Sequence, residues 1–174
     1  TAKVFFKPEK LEHLILFLKE FGNSSNIFVL GAGSNILFND NIYDGIVIKL
    51  GKNFSNITLM PNKVIIAGAA ASDKKLSEFA ENNSIGGFEF LSCIPGTIGG
   101  GLRMNAGAHG KEIKDILIEA EVIDSRGNFK VLSLEEMEMS YRHCGVPKDY
   151  IFLSGLFKPG KDEPSDIQKR LDEI

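Results

Sequence analysis

The sequence predicts a mixed α+β fold, and three features point to it. Short apolar runs of strand character alternate with stretches in which Leu, Ile, Phe and Ala recur at helical spacing. Two apolar runs end in glycine-rich loops, Leu30-Gly31-Ala32-Gly33-Ser34-Asn35 and Ile94-Pro95-Gly96-Thr97-Ile98-Gly99-Gly100-Gly101. A chain of 174 residues, 43% of them hydrophobic, buries roughly 70% of the surface its unfolded form exposes, enough for one good core or two small lobes sharing an interface.

Val4-Phe5-Phe6 reads as a short strand. Pro8 sits where a first helical turn would begin, Leu11, Leu14, Ile15 and Leu18 share one helical face, and Gly22 ends the run. Residues 27–30 form a compact apolar strand running into the first glycine loop, and residues 45–50 form another after the turn signal Tyr43-Asp44-Gly45. Residues 63–67 make a further strand. Ser72-Asp73 then offers a helix cap before Leu76, Phe79 and Ala80, in a helix ending near Asn82-Asn83. The order to this point is β, α, β, β, β, α.

The segment 85–115 is too rich in Gly and Pro for regular structure and is expected to be a long irregular loop, a kind that is usually functional or disordered. Its apolar content argues against disorder. Residues 116–124 alternate, Ser125-Arg126-Gly127-Asn128 turns the chain back, and residues 129–132 complete a hairpin. Ser133 and Glu136 have capping-box spacing for a short helix, and residues 151–157 read as a last strand. With two lobes, the boundary falls in Gly68-Ala69-Ala70-Ala71 or near residues 85–90; lobes of 1–68 and 69–160 are expected. The chain opens on Thr1 and runs out inside a helical pattern over 165–174 without a stop signal, so it reads as part of a longer protein. Residues 161–174 are expected to begin a connection to a further domain.

Composition narrows the function. Net charge is −3, with 20 Lys+Arg and 23 Asp+Glu scattered along the chain, so nothing resembles a basic field for nucleic acid. No apolar run approaches the roughly 20 residues a membrane helix needs. Cys93 and Cys144 form neither a disulfide framework nor a C-x-x-C pair, which fits a reducing compartment and makes the cytoplasm the expected location. His13, His109 and His143 show no metal-ligand spacing with acidic groups, so no metal is expected.

Glycine removes the Cβ that would keep a ligand off the backbone, so consecutive N–H groups can converge on an oxyanion such as a pyrophosphate. Two such loops suggest a dinucleotide. The first is a poor Rossmann fingerprint, because Ile36 holds the third-glycine position and Asp44-Gly45 turns the chain before a long helix could form. No Gly-Lys-Ser/Thr sequence exists for a P-loop. Taken alone, Gly31-Ala32-Gly33 fits an ordinary tight turn as well as a ligand loop. The second loop is more specific: Pro95 fixes φ, Thr97 supplies a hydroxyl, and three glycines in a row permit close approach. Six glycines lie from Gly96 to Gly110. Each costs up to about 1 kcal/mol relative to Ala in a regular element, so the cluster favours a ligand over turns alone.

The motifs together resemble the bacterial UDP-N-acetylenolpyruvoylglucosamine reductases of peptidoglycan synthesis. Carrying the resemblance are Phe5-Phe6-Lys7-Pro8, Gly31-Ala32-Gly33-Ser34-Asn35-Ile36-Leu37, Gly86-Gly87-Phe88-Glu89-Phe90-Leu91, Ile94-Pro95-Gly96-Thr97-Ile98-Gly99-Gly100, Met104-Asn105-Ala106-Gly107 and Ser140-Tyr141-Arg142, in the family's order along nearly the whole chain. The resemblance implies an FAD-binding fold of the vanillyl-alcohol-oxidase type, in which two α+β lobes grip an extended FAD. Gly31, Ala32, Gly33, Ser34, Asn35, Ile36 and Leu37 would hold it together with Pro95, Gly96, Thr97, Gly99 and Gly100, and Asn105, Ala106 and Gly107 would line the same groove.

Family chemistry uses NADPH as co-substrate to reduce the flavin, which reduces the enolpyruvyl double bond of the UDP-sugar to give UDP-N-acetylmuramate. Arg142 would be the catalytic residue, its guanidinium holding a carboxylate and stabilising developing charge, and Tyr141 is a substrate-contact or core residue. No obligate protein partner is implied. Three departures stand out: Cys93 and Cys144 replace smaller or polar residues as small hydrophobes, Gly101 replaces a residue more often Ala, and the family's proton-donating Ser and late Glu belong to a C-terminal domain outside this sequence. Another FAD-linked oxidase or dehydrogenase of the same fold and a non-catalytic flavin-binding fragment are the rival readings.

Overall fold

A computed structural model describes residues 2–23, 26–38 and 40–160; the expected connection at 161–174 lies outside the described residues. Strand β1 (Ala2–Phe6), helix α1 (Leu11–Phe21), β2 (Ile27–Val29) and β3 (Tyr43–Ile48) come first. They build a three-stranded sheet in which β3 lies between β1 and β2 and runs parallel to both. Ile46, Val47 and Ile48 of the middle strand are buried, as a parallel strand with neighbours on both sides requires. On α1, Leu14 and Leu18 face inward, four residues apart on one stripe. Gly22 ends α1 in a right-handed conformation. It is glycine for a different reason than a left-handed cap: a Cβ there would run into the carbonyl oxygen of Ser125.

A second sheet follows, from β4 (Ile57–Leu59), β5 (Ile65–Gly68), β8 (Leu117–Ile123), β9 (Phe129–Ser133) and β10 (Ile151–Phe157). It is antiparallel in the order β4-β5-β10-β8-β9, with Phe157 opposite Ile65 and Ile123 opposite Phe129. β4 is a strand the periodicity did not announce. β10, the last strand among the described residues, is central in space, and all its residues but Leu156 are buried. Helix α2 (Asp73–Asn82) packs Leu76 and Ala80 into the main core, with Ser72 Oγ capping its first turn by accepting from Lys75 N at 3.2 Å.

Three findings depart from the sequence reading. The segment 85–115 is built rather than irregular: it holds a 3₁₀ turn (Glu89–Cys93), helix α3 (Ile98–Met104), the short strands β6 (Gly107–Ala108) and β7 (Lys111–Glu112), and a single helical turn α4 (Ile113–Ile116). α3 contains three glycines and stands because tertiary packing overrides propensity. Conversely, Ser133 and Glu136 make both capping-box hydrogen bonds, at 2.8 and 3.3 Å, around a turn and not a helix. The two sheets divide between Ile48 and Ile57, so β4 and β5, inside the expected first lobe of 1–68, belong to the second sheet.

One apolar cluster bridges the sheets. Leu14 and Leu18 of α1 and Ile46 and Ile48 of β3 pack with Ile123, Ile151 and Leu153 from the second sheet. The larger cluster lies over the second sheet under α2, the 3₁₀ turn and α3.

Candidate functional site

β2 delivers the chain to the first glycine loop, and Leu30 N prolongs the pairing by donating to Ile48 O at 2.8 Å. Beyond Leu30, among the described residues, no main-chain amide from Gly31 to Asn35 is bonded to a main-chain carbonyl. The loop turns at Gly33, whose φ of +85° a side chain would strain.

The second loop is fixed differently. Thr97 caps α3, its Oγ1 accepting from Gly100 N at 3.4 Å, while Ile98 N and Gly99 N donate to Ala71 O and Ala69 O at 2.9 Å. Its glycines are largely a matter of close packing: a Cβ on Gly99 would lie 3.0 Å from Ala69 Cβ, and one on Gly101 would lie 2.5 Å from Ile113 Cδ1. Gly100 is the exception, exposed and with only Thr97 Oγ1 nearby at 3.5 Å. The loops touch each other, since a Cβ on Gly31 would lie 2.6 Å from Thr97 Oγ1, and Asn35 Nδ2 approaches Met104 Sδ at 3.1 Å.

Together the loops wall a cavity of about 1470 Å³. A drug-sized ligand fills roughly 300–1,000 Å³, so there is room for a larger one. Gly31, Ala32, Gly33, Ser34, Asn35 and Ile36 line one side, and Pro95, Gly96, Thr97, Gly99 and Gly100 line the other with Asn105, Ala106 and Gly107. Leu37, expected among them, is 99% exposed and stands outside the lining. Asn105 is a left-handed cap of α3 whose side chain is spent within the protein: Nδ2 donates to Ser140 O (2.9 Å) and Glu112 Oε2 (3.1 Å), and Oδ1 accepts from Lys114 N (3.0 Å). Cys93, read as a small buried hydrophobe, is exposed on the cavity wall; Cys144 is buried.

Tyr141 and Arg142 occupy the tip of a tight turn at the rim. Ser140 and His143 exchange both main-chain hydrogen bonds, at 3.1 and 3.0 Å, leaving the two residues between them exposed. Arg142 holds φ at +53°, an uncommon conformation for a residue with a side chain and one concentrated at functional sites. Its guanidinium carbon lies 5.8 Å from the Tyr141 ring centre.

Two further groups escaped sequence reasoning. Asp73, read there as part of a helix cap, is fully buried against the second loop, and neither carboxyl oxygen has a hydrogen-bond partner. Desolvation pushes its pKa up to about 7. A side chain at Gly96 would collide with Oδ2, and a Cβ at Gly101 would lie 3.3 Å from Oδ1. Arg103, on α3, donates to the carbonyls of Val146, Pro147 and Tyr150. Burial lowers its pKa, which starts high enough to leave it a cation. The cavity also meets Lys49, Lys114 and Lys148; Lys114 pairs with Glu112 at 2.6 Å, and its hydrogen bond holds the Glu112 carboxyl below its ordinary value. Cations outnumber carboxylates around the cleft, which suits an anionic occupant. Among the described residues no group of His, Cys, Asp and Glu could hold a metal ion, and no helix is long and apolar enough to cross a membrane.

A bridged two-sheet α+β body with a glycine-walled, cation-rimmed cleft defines a nucleotide-cofactor domain. A family model described as FAD binding domain matches residues 2–133, and the chain belongs to that family. More particularly, it is 54% identical over 173 residues to the UDP-N-acetylenolpyruvoylglucosamine reductase of Pelagibacter ubique, covering 99% of this chain and 57% of that protein. The enzyme of the same name from Rickettsia bellii is 46% identical over 174 residues, 100% of this chain and 58% of the relative. Among solved structures, UDP-N-acetylenolpyruvylglucosamine reductase from Thermus caldophilus superposes with a TM-score of 0.84 at 29% identity, over 97% of this chain and 60% of that one. Glucooligosaccharide oxidase from Acremonium strictum, at 15% identity and a TM-score of 0.70 over 91% of this chain and 35% of its own, shares the fold. The fold is thus the α+β FAD-binding fold of the vanillyl-alcohol-oxidase type, and the resemblance is to the FAD-binding part of the reductases. The chain spans 57% and 58% of the length of the two curated relatives.

Proposed function

We propose that this chain binds FAD in the cleft between the 31–36 loop and α3, and that the whole protein is a cytoplasmic, NADPH-dependent reductase of UDP-N-acetylglucosamine enolpyruvate, forming UDP-N-acetylmuramate. One observation carries the reading: a single cavity brings together both glycine loops and the Tyr141–Arg142 turn. The cleft fits the cofactor, because Gly100 leaves open a space that a side chain would fill and the 31–35 amides are available as donors.

Bound there, FAD would supply hydride transfer. The 31–35 amides and the Thr97 hydroxyl would hold its pyrophosphate, and Lys49 and Lys148 would add positive potential. Arg142 offers two parallel N–H donors to the carboxylate of the enolpyruvyl group, orienting the double bond and stabilising the charge that develops on it. Tyr141 lends an exposed aromatic face beside that carboxylate. The proton that completes the reduction comes from residues outside this sequence.

The visible spectrum of the purified chain is the test. Flavin bands near one per chain, recovered by adding FAD to stripped protein, support the reading; a colourless chain that cannot be reconstituted overturns it. The rim position of Tyr141 and Arg142 favours the reductase over another FAD-linked oxidase. An FAD-loaded protein of the relatives' full length that oxidises NADPH without responding to the enolpyruvyl UDP-sugar would reverse that choice.

A further inference from the structure

The loop that carries Tyr141 and Arg142 is tied to α3 at two places. Before the turn, Asn105 Nδ2 donates to Ser140 O. After it, Arg103 Nη1 donates to Val146 O (2.6 Å) and Pro147 O (3.2 Å), and Nη2 donates to Tyr150 O (2.5 Å). The guanidinium also lies 4.9 Å over the ring of Phe152 in the central strand β10. Three acceptors at different angles need a planar fork, which Lys does not have. α3 is seven residues long, so about 10 Å separates the Thr97 end that walls the cleft from the end that ties the loop. A left-handed Arg142 persists only where its surroundings over-determine it, and the two ties supply that constraint.

We propose that Arg103 is a positioning residue: through its three carbonyl bonds it locks the 140–150 loop to α3 and so sets Arg142 over the same cleft that Gly100 lines. The inference rests on reading Arg142 as the carboxylate-holding group. Arg103 also lines the cavity wall, its guanidinium engaged there by the three carbonyls and the Phe152 ring.

Hydrogen exchange on this chain, with Arg103→Met and Arg103→Lys beside the parent, tests it directly. In Arg103→Met the amides of Ser140, His143 and Gly145 are expected to exchange about tenfold faster or more, while those paired between β8 and β10 change by less than about twofold. Arg103→Lys falls between. Unchanged exchange at Ser140 and His143, or equal acceleration throughout β8 and β10, overturns the proposal. In FAD-loaded protein of the relatives' full length, Arg103→Met should raise KM for the enolpyruvyl UDP-sugar and leave flavin reduction by NADPH unaltered; a loss confined to flavin reduction also overturns it. Should the parent chain fail to bind FAD, the functional reading falls, and the exchange data still decide whether Arg103 holds the turn.

Discussion

At Asp73 the burial that closes the floor of the cleft acts on a titratable group. Its pKa rises from an ordinary 3.8 to about 7 on folding. Between those values the native state binds more protons than the unfolded chain, so stability falls as pH rises through that window and levels off above it. The shift corresponds to roughly 4 kcal/mol at most. Asp73→Asn keeps the shape and removes the titration. Denaturant unfolding at pH 5 and pH 8 should therefore show the parent losing stability at the higher pH and the variant losing little, and parallel losses would mean the carboxyl finds a partner. Arg142 is a residue-scale case of the opposite kind, exposed at the tip of its turn. Arg142→Ala should leave FAD affinity within about threefold and lower turnover of the full-length enzyme by a factor on the order of 10²–10³, read by stopped-flow and steady-state kinetics; loss of flavin instead would make it a structural residue.

Among elements, α3 separates glycines that pack from glycines that admit a ligand. Gly100→Leu meets open space in the empty chain, so the thermal midpoint should move by only about 2 °C while FAD affinity falls tenfold or more. Gly99→Leu drives a side chain into Ala69 and should cost about 1–3 kcal/mol before any ligand is added. Calorimetry and flavin titration on the pair distinguish the two roles. The same helix shows why part of the fold was legible and part was not. α1 and β10 announce themselves, through the four-residue spacing of Leu14 and Leu18 and the apolar run 151–157. Nothing local says that Gly99-Gly100-Gly101 is helical, because the contacts that make it so come from Ala69 and Ile113. The sheet that receives β5 was unreadable for a related reason: its apolar pattern is the same in either. The cleft was visible in sequence as backbone freedom, whereas Arg103 was not, since its three acceptors lie 43, 44 and 47 residues away.

At the scale of the molecule, the cluster joining Leu14, Leu18, Ile46 and Ile48 to Ile123, Ile151 and Leu153 makes the two sheets mutually dependent. Leu18→Ala should cost about 2–5 kcal/mol. Near-UV and far-UV circular dichroism should still report one coincident transition; separated transitions would show that the two sheets unfold independently. Saturating ligand adds to this unit. At a hundred times its Kd, FAD contributes about 2.7 kcal/mol, which for a domain of this size raises the melting midpoint by about 5–10 °C.

The place of β10 between β5 and β8 has a consequence for biosynthesis. A ribosome emits the outer members of the five-stranded sheet first and its spine last, so edges that will be neighbours of β10 wait unpaired until residue 157 has cleared the exit tunnel. α3 rests on that spine. A nascent polypeptide stalled before residue 151 would accordingly emerge colourless, and yellow would come only after β10 is threaded home.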